Sequence, residues 1–279
     1  GRVTALHLAG AAPDGGDQQL IRYAYDTHGN LTEVVNSTGT PLHFGYDERG
    51  RITSWTDTNG SHYAYAYDDE DRCVWQSGEA GHMQAHFAFE PPDPDTARRA
   101  TVVTNSLGHV TRYEVNPSWQ IERVVDPLGA VTHTERDPYH RLLSHTDALG
   151  RTTRWERDAR GHVVRLTRPD GTQTSATYDA EGQVETVTAP DGGCWRFTYD
   201  ERGNRTQETD PAGGTTRCTY AANGGLMSVT DALGATTRVR CDRAGLPLEI
   251  TDPLGATTAY RRDGFGNPVT VVDPLGGTT

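Results

Sequence analysis

At 279 residues the chain is long enough for one large domain or two ordinary ones, but with only 34% hydrophobic residues it is too polar for a thick apolar core. Its 38 acidic residues outnumber 26 basic ones, all of them Arg, and the net charge of -12 speaks against nucleic acid or an anionic membrane as partner, since either needs a basic footprint. No apolar run has the length of a membrane span and no signal peptide is visible, while plentiful Tyr, Val and Thr set the chain apart from disordered sequence.

Taken from the N-terminus, the chain repeats itself. The dipeptide Tyr-Asp stands at Tyr25-Asp26, Tyr46-Asp47 and Tyr67-Asp68, and again at Tyr178-Asp179 and Tyr199-Asp200, with a step of 21 residues inside each group. Degenerate copies fill the same phase at Val115-Asn116, Arg136-Asp137, Arg157-Asp158, Tyr220-Ala221, Cys241-Asp242 and Arg262-Asp263. The phase slips once. Tyr67 and Val115 lie 48 residues apart, two periods and six surplus residues, with Phe89-Glu90 as the intervening marker. The surplus falls on Glu90, Pro91, Pro92, Asp93, Pro94 and Asp95, which predicts a loop insertion at about 90–100 in an array otherwise covering 1–279.

Two glycines punctuate each period. One lies four residues after the Tyr slot, as at Gly29, Gly50, Gly182 and Gly203. The other lies fourteen after it and often closes a D-P-L-G or D-A-L-G tetrapeptide, as at Gly129, Gly150, Gly234 and Gly255. In such turns Asp caps the backbone, Pro presets φ and Gly supplies positive φ. Two turns per period leave room for two short strands of about six residues. The strand that ends at the Tyr slot alternates: Tyr23, Phe44, Tyr65, Trp155 and Phe197 stand two residues before it, and Ile21, Leu42, Tyr63 and Trp195 four before it, on one face. The following strand is apolar at Leu31, Ile52, Val163 and Val184 and again three residues on, at Val34, Trp55, Leu166 and Val187. A step of three breaks alternation and would be explained by a β-bulge. With Gly and Pro so frequent, no ordinary helix fits, and the fold class is all-β, two strands per repeat in a long antiparallel sheet.

No cofactor or catalytic group is implied. Cys73, Cys194, Cys218 and Cys241 match no zinc or haem spacing and read as free cysteines in small apolar slots, although spacing does not exclude disulfides. The 11 histidines, including His133, His140 and His145, vary in phase as solvated positions do. The row Asp126, Asp147, Asp210, Asp231, Asp252 and Asp273 invites a calcium ladder, but turn capping accounts for each of them locally. The Tyr slot is expected to stack aromatic rings across neighbouring strands. Trp55, Trp75, Trp119, Trp155 and Trp195 would offer sugar-stacking platforms if exposed, with core packing as the alternative fate.

The sequence Tyr-Asp-Glu-Arg-Gly-Asn at 199–204, its counterpart Tyr-Asp-Glu-Arg-Gly-Arg at 46–51 and the recurring D-P-L-G turns resemble the Rhs/YD-repeat family over essentially the whole chain. That family includes bacterial polymorphic toxins, shell subunits of insecticidal toxin complexes and animal teneurins. The resemblance implies a sheet that spirals into a hollow shell, enclosing a C-terminal toxin domain in bacterial members. Neither the closing segment, where aspartate-dependent cleavage releases the toxin, nor a toxin domain is found, so the chain reads as a middle or N-terminal part of the array. About 24 strands spaced about 4.8 Å apart would make about 115 Å of sheet, roughly one turn of such a shell, with edge strands open to self-association. The expected partners are the remainder of the shell, its enclosed toxin and a secretion-system component. The expected location is secreted or cell-surface, after assembly in the cytoplasm. The competing reading is a cell-surface adhesion or carbohydrate-binding module on the same repeats.

Overall fold

The structure is a computed structural model that describes residues 1–12 and 14–279. It divides into two compact units, Gly1–Arg151 and Thr152–Thr279. Within each unit consecutive strands pair antiparallel, each with the next along the chain. The only helix among the described residues is the 3₁₀ turn Glu79–Gly81. The all-β expectation is met.

The second unit shows the rule in its regular form. Cys194–Tyr199 is a typical strand: Trp195, Phe197 and Tyr199 are half-buried while Arg196 and Thr198 are exposed. Every connection between its strands, from the one joining Thr152–Arg157 to Val163–Thr167 onward, is five residues long. Each closes in the same way. In Asp252 to Ala256 the N–H of Gly255 donates to the carbonyl of Asp252, and the N–H of Asp252 to the carbonyl of Ala256. This is a three-residue loop ending in a left-handed glycine, a geometry that keeps the right-handed strand twist.

The step of three in the second strand of each repeat is a bulge. Opposite Thr198 and Tyr199 stand Gln207 and Arg205, so Thr206 is the extra residue. The same shift recurs opposite Tyr25, where Leu31 and Glu33 flank Thr32, and opposite Tyr46, where Ile52 and Ser54 flank Thr53. One extra residue returns Leu31 and Val34 to a common face, which simple alternation forbids.

Burial is thin. Among the described residues only Ala85 and Ala100 are buried hydrophobic residues. Cohesion comes from hydrogen-bonded ladders and from pairs across neighbouring strands. Examples are Arg165–Glu156 at 3.0 Å, Arg22–Glu33 at 2.6 Å and the hydroxyl contacts Thr230–Thr236 and Thr251–Thr257, both 2.9 Å. The half-buried Cys73, Cys194, Cys218 and Cys241 carry free thiols.

The first unit departs from this regularity in the connections 9–17 and 106–109, of nine and four residues, and most of all around residues 79–98. The connection 79–84 has six residues and the connection 91–98 has eight. The sequence surplus is therefore spread over these two connections and the lengthened strands Cys73–Gly78 and Arg99–Asn105, not confined to residues 90–95. The flanking strands Ala85–Glu90 and Arg99–Asn105 pair over six positions with no bulge. Asp93 closes the longer loop, its Oδ1 accepting from the N–H groups of Asp95 and Thr96 and from the Thr96 hydroxyl.

Candidate functional site

The repeat markers converge on a clamp, built at the turns that keep the Tyr-Asp pair. Its first part is the aspartate. Asp47 Oδ1 accepts from the N–H of Arg49 at 3.0 Å and of Arg51 at 2.9 Å. Asp26, Asp68, Asp179 and Asp200 each accept from the same two positions of their own turns. Two N–H groups that a turn would otherwise leave to water are thereby satisfied.

The second part is the residue four places after that aspartate, which sequence reasoning passed over. Its side chain returns to Oδ2 of the same carboxylate: Asn30 to Asp26 at 2.9 Å, Arg51 to Asp47 at 2.7 Å, Arg72 to Asp68 at 2.8 Å, Gln183 to Asp179 at 3.2 Å and Asn204 to Asp200 at 2.9 Å. The signal was present as a side-chain donor, Asn, Arg, Gln or His, directly after the turn glycine in most copies. These bonds hold the carboxyls below the ordinary aspartate range. At Asp26, Asp200 and Asp263 the main cause is the following asparagine amide, and at Asp47 and Asp147 it is the backbone N–H of the following arginine.

The third part is the tyrosine, which reaches into the previous repeat. The Tyr46 hydroxyl donates to the carbonyl of Leu31 at 2.8 Å, Tyr67 to Ile52 at 2.7 Å, Tyr178 to Val163 at 3.0 Å and Tyr199 to Val184 at 3.0 Å. Each acceptor is the residue that opens the bulge, fifteen positions back. Tyr25 makes the equivalent bond to Val3. Ring-on-ring stacking between tyrosines, expected from the sequence, is not what fills this slot. The ring is covered instead by the polar side chain of the preceding clamp: the Arg51 guanidinium lies 4.8 Å from the Tyr67 ring centre, and His162 stacks on Tyr178 at 4.5 Å. Arg51 and Gln120 also donate to the carbonyls of Asp68 and Asp137 in the next repeat. Neighbouring hairpins are thus tied by side chains as well as by the strand ladder.

Gly129, Gly150, Gly234 and Gly255 sit in the other set of turns with φ between 77° and 89°. A Cβ there would meet nothing within 4 Å, so the requirement is conformational, not steric. The neighbouring aspartates act as turn caps: Oδ1 of Asp126, Asp231 and Asp252 accepts from turn N–H groups. Among the described residues no group of three or more His, Cys, Asp or Glu converges to hold a metal ion. No helix among them is long and apolar enough to cross a membrane, which leaves β-barrel crossing unaddressed.

With this geometry in hand, comparison with known families is decisive. The family described as RHS Repeat matches residues 46–76, 136–173, 178–215, 220–257 and 242–278, together more than half of the chain. The chain belongs to the RHS Repeat family. The clamp of tyrosine, aspartate and returning side chain is what the Rhs repeats that keep the Tyr-Asp pair contribute to their neighbours. Among solved structures, the chain is similar to a TcdB2-TccC3-Cdc42 crystal structure, with a TM-score of 0.68 and 15% identity over 97% of its length. It is similar also to the Tc holotoxin pore of Photorhabdus luminescens carrying a TccC3 mutation, with a TM-score of 0.62 and 15% identity over 98%. It spans only 16% and 18% of those chains, and at this identity the likeness is one of fold. Comparison with curated proteins returned no match.

Proposed function

We propose that this chain is a wall segment of a bacterial Rhs-type toxin shell, whose work is containment of a toxin domain, not catalysis. The observation that carries the reading is the inter-repeat clamp. It satisfies turn and bulge backbone groups with side chains of the wall itself, and so lets a sheet with almost no apolar core persist as a thin barrier. The likeness in fold to Tc toxin structures supports the same reading. The displaced aspartates are bound up in their own turns, which favours a structural role over an enzymatic one. On this reading the partners are the rest of the shell, its enclosed toxin and an export machine, and the mature assembly acts outside the cell or at its surface.

The test is protease protection in the full-length parent protein. The segment following the repeats should resist digestion while the wall is intact and become sensitive when Tyr46, Tyr178 and Tyr199 are all changed to Phe. A downstream segment cleaved equally fast in both proteins, or electron micrographs showing no enclosed volume, would sink the containment reading.

A further inference from the structure

The Tyr-Asp turns require a left-handed residue at their fourth position, and in eight of them it is glycine. Three others carry Asp71, Trp119 and His140, with φ of 65°, 62° and 65°. Asp and His tolerate this conformation. Asp71 is further held by Arg49 at 2.6 Å and Arg51 at 2.7 Å. Trp119 has no such account. A bulky side chain is strained there, and the residue is 68% exposed. Of the five tryptophans it alone lies open to solvent; the other four are half-buried.

Trp119 borders a cleft of about 910 Å³ on one side of the inserted loop. Phe89, Pro91 and Pro92 form apolar walls, and Arg72 and Arg99 line it with them. The other charges of the cleft are already neutralised within the protein: Arg72 pairs with Asp68 at 2.7 Å and Glu70 at 2.8 Å, and Glu90 pairs with Arg112. Arg99 differs. Its guanidinium lies 4.4 Å from the Trp119 ring centre and has no carboxylate partner among the described residues. Stacking fixes the plane of a guanidinium while leaving its in-plane N–H donors available for a carboxylate.

We propose that this cleft binds an acidic saccharide, the open face of Trp119 taking the sugar ring and Arg99 its carboxylate. Trp offers a large rigid face with little entropy to lose, and the volume is within the range of small-ligand sites. The strands Ala85–Glu90, Arg99–Asn105 and Val110–Val115, which pair with one another, hold Phe89 and Arg99 in place beside the cleft. This inference does not depend on the containment reading.

The whole chain is titrated by calorimetry with tri-galacturonate and with sialyllactose, against the methyl-esterified trisaccharide and lactose as neutral counterparts. At least one acidic probe should bind, at least about tenfold more tightly than its neutral counterpart. Trp119→Gly, which restores the residue favoured at this turn position, should abolish binding without lowering the melting temperature. Arg99→Gln should abolish the preference for the acid. The proposal is overturned if neither acidic probe binds, if acid and neutral forms bind alike, or if W119G binds as the parent does.

Discussion

The two units obey the same repeat rule with different strictness. In Thr152–Thr279 every connection has five residues and every left-handed residue is glycine; in Gly1–Arg151 connections of six and eight residues occur, and Asp71, Ala80, Met83, Ala97, Trp119 and His140 all take positive φ. A regular repeat array needs only clamps and turns, and the second unit contains little else. Apart from His140 and the nine-residue connection 9–17, the departures in the first unit cluster between residues 71 and 119 and bring together side chains that a regular array would keep apart. Regularity here marks what the repeat array itself requires, and the irregular stretch is where the proposed saccharide cleft lies.

Acid should produce the largest effect, and it should not distinguish the units. The depressed carboxyls include Asp26, Asp47 and Asp147 in the first and Asp200 and Asp263 in the second. A carboxyl whose folded pKa lies below its unfolded value contributes stability that is complete above the unfolded value, about 3.9, and lost as pH falls through the folded one. Urea midpoints should therefore stay level from neutral pH to about pH 5 and drop below about pH 4. A midpoint that falls between pH 7 and 5 would mean that other groups govern stability.

Substitutions should then separate regular from irregular positions. Gly255→Val forces a β-branched residue to a φ of 89° and should cost about 2 kcal/mol by urea denaturation. Trp119→Gly, at the equivalent backbone conformation in the first unit, should leave stability level or raise it by up to about 1 kcal/mol. Loss of stability in W119G comparable to that in G255V would show the irregular turn to be as tightly specified as the regular one. Asp252→Ala removes the acceptor for the N–H groups of Leu254 and Ala256 and should cost about 1 kcal/mol. Tyr199→Phe removes the bond to the Val184 carbonyl and should cost about 1 kcal/mol or slightly less. Its more telling signature is faster amide exchange on both sides of that hairpin, since neighbouring repeats stabilise each other. An unchanged exchange pattern would confine the tyrosine to its own repeat.

Much of the fold was legible in the residues because its punctuation is local. Asp252 caps N–H groups two and four residues ahead, and Gly255 meets a conformational demand within the same loop. Most of what is encoded within four residues reads directly from the chain, the side chain that returns to the turn aspartate being the exception, so period, turns, strands and fold class followed from the sequence. The tertiary structure decided the rest. Thr206 becomes a bulge only in register against Thr198 and Tyr199. The Tyr199 hydroxyl finds the Val184 carbonyl only when two hairpins lie side by side. Phe89, Arg99 and Trp119 share a cleft because an enlarged loop brings together residues 30 positions apart. Each depends on strand register, a property of pairs of strands that no single strand's sequence contains.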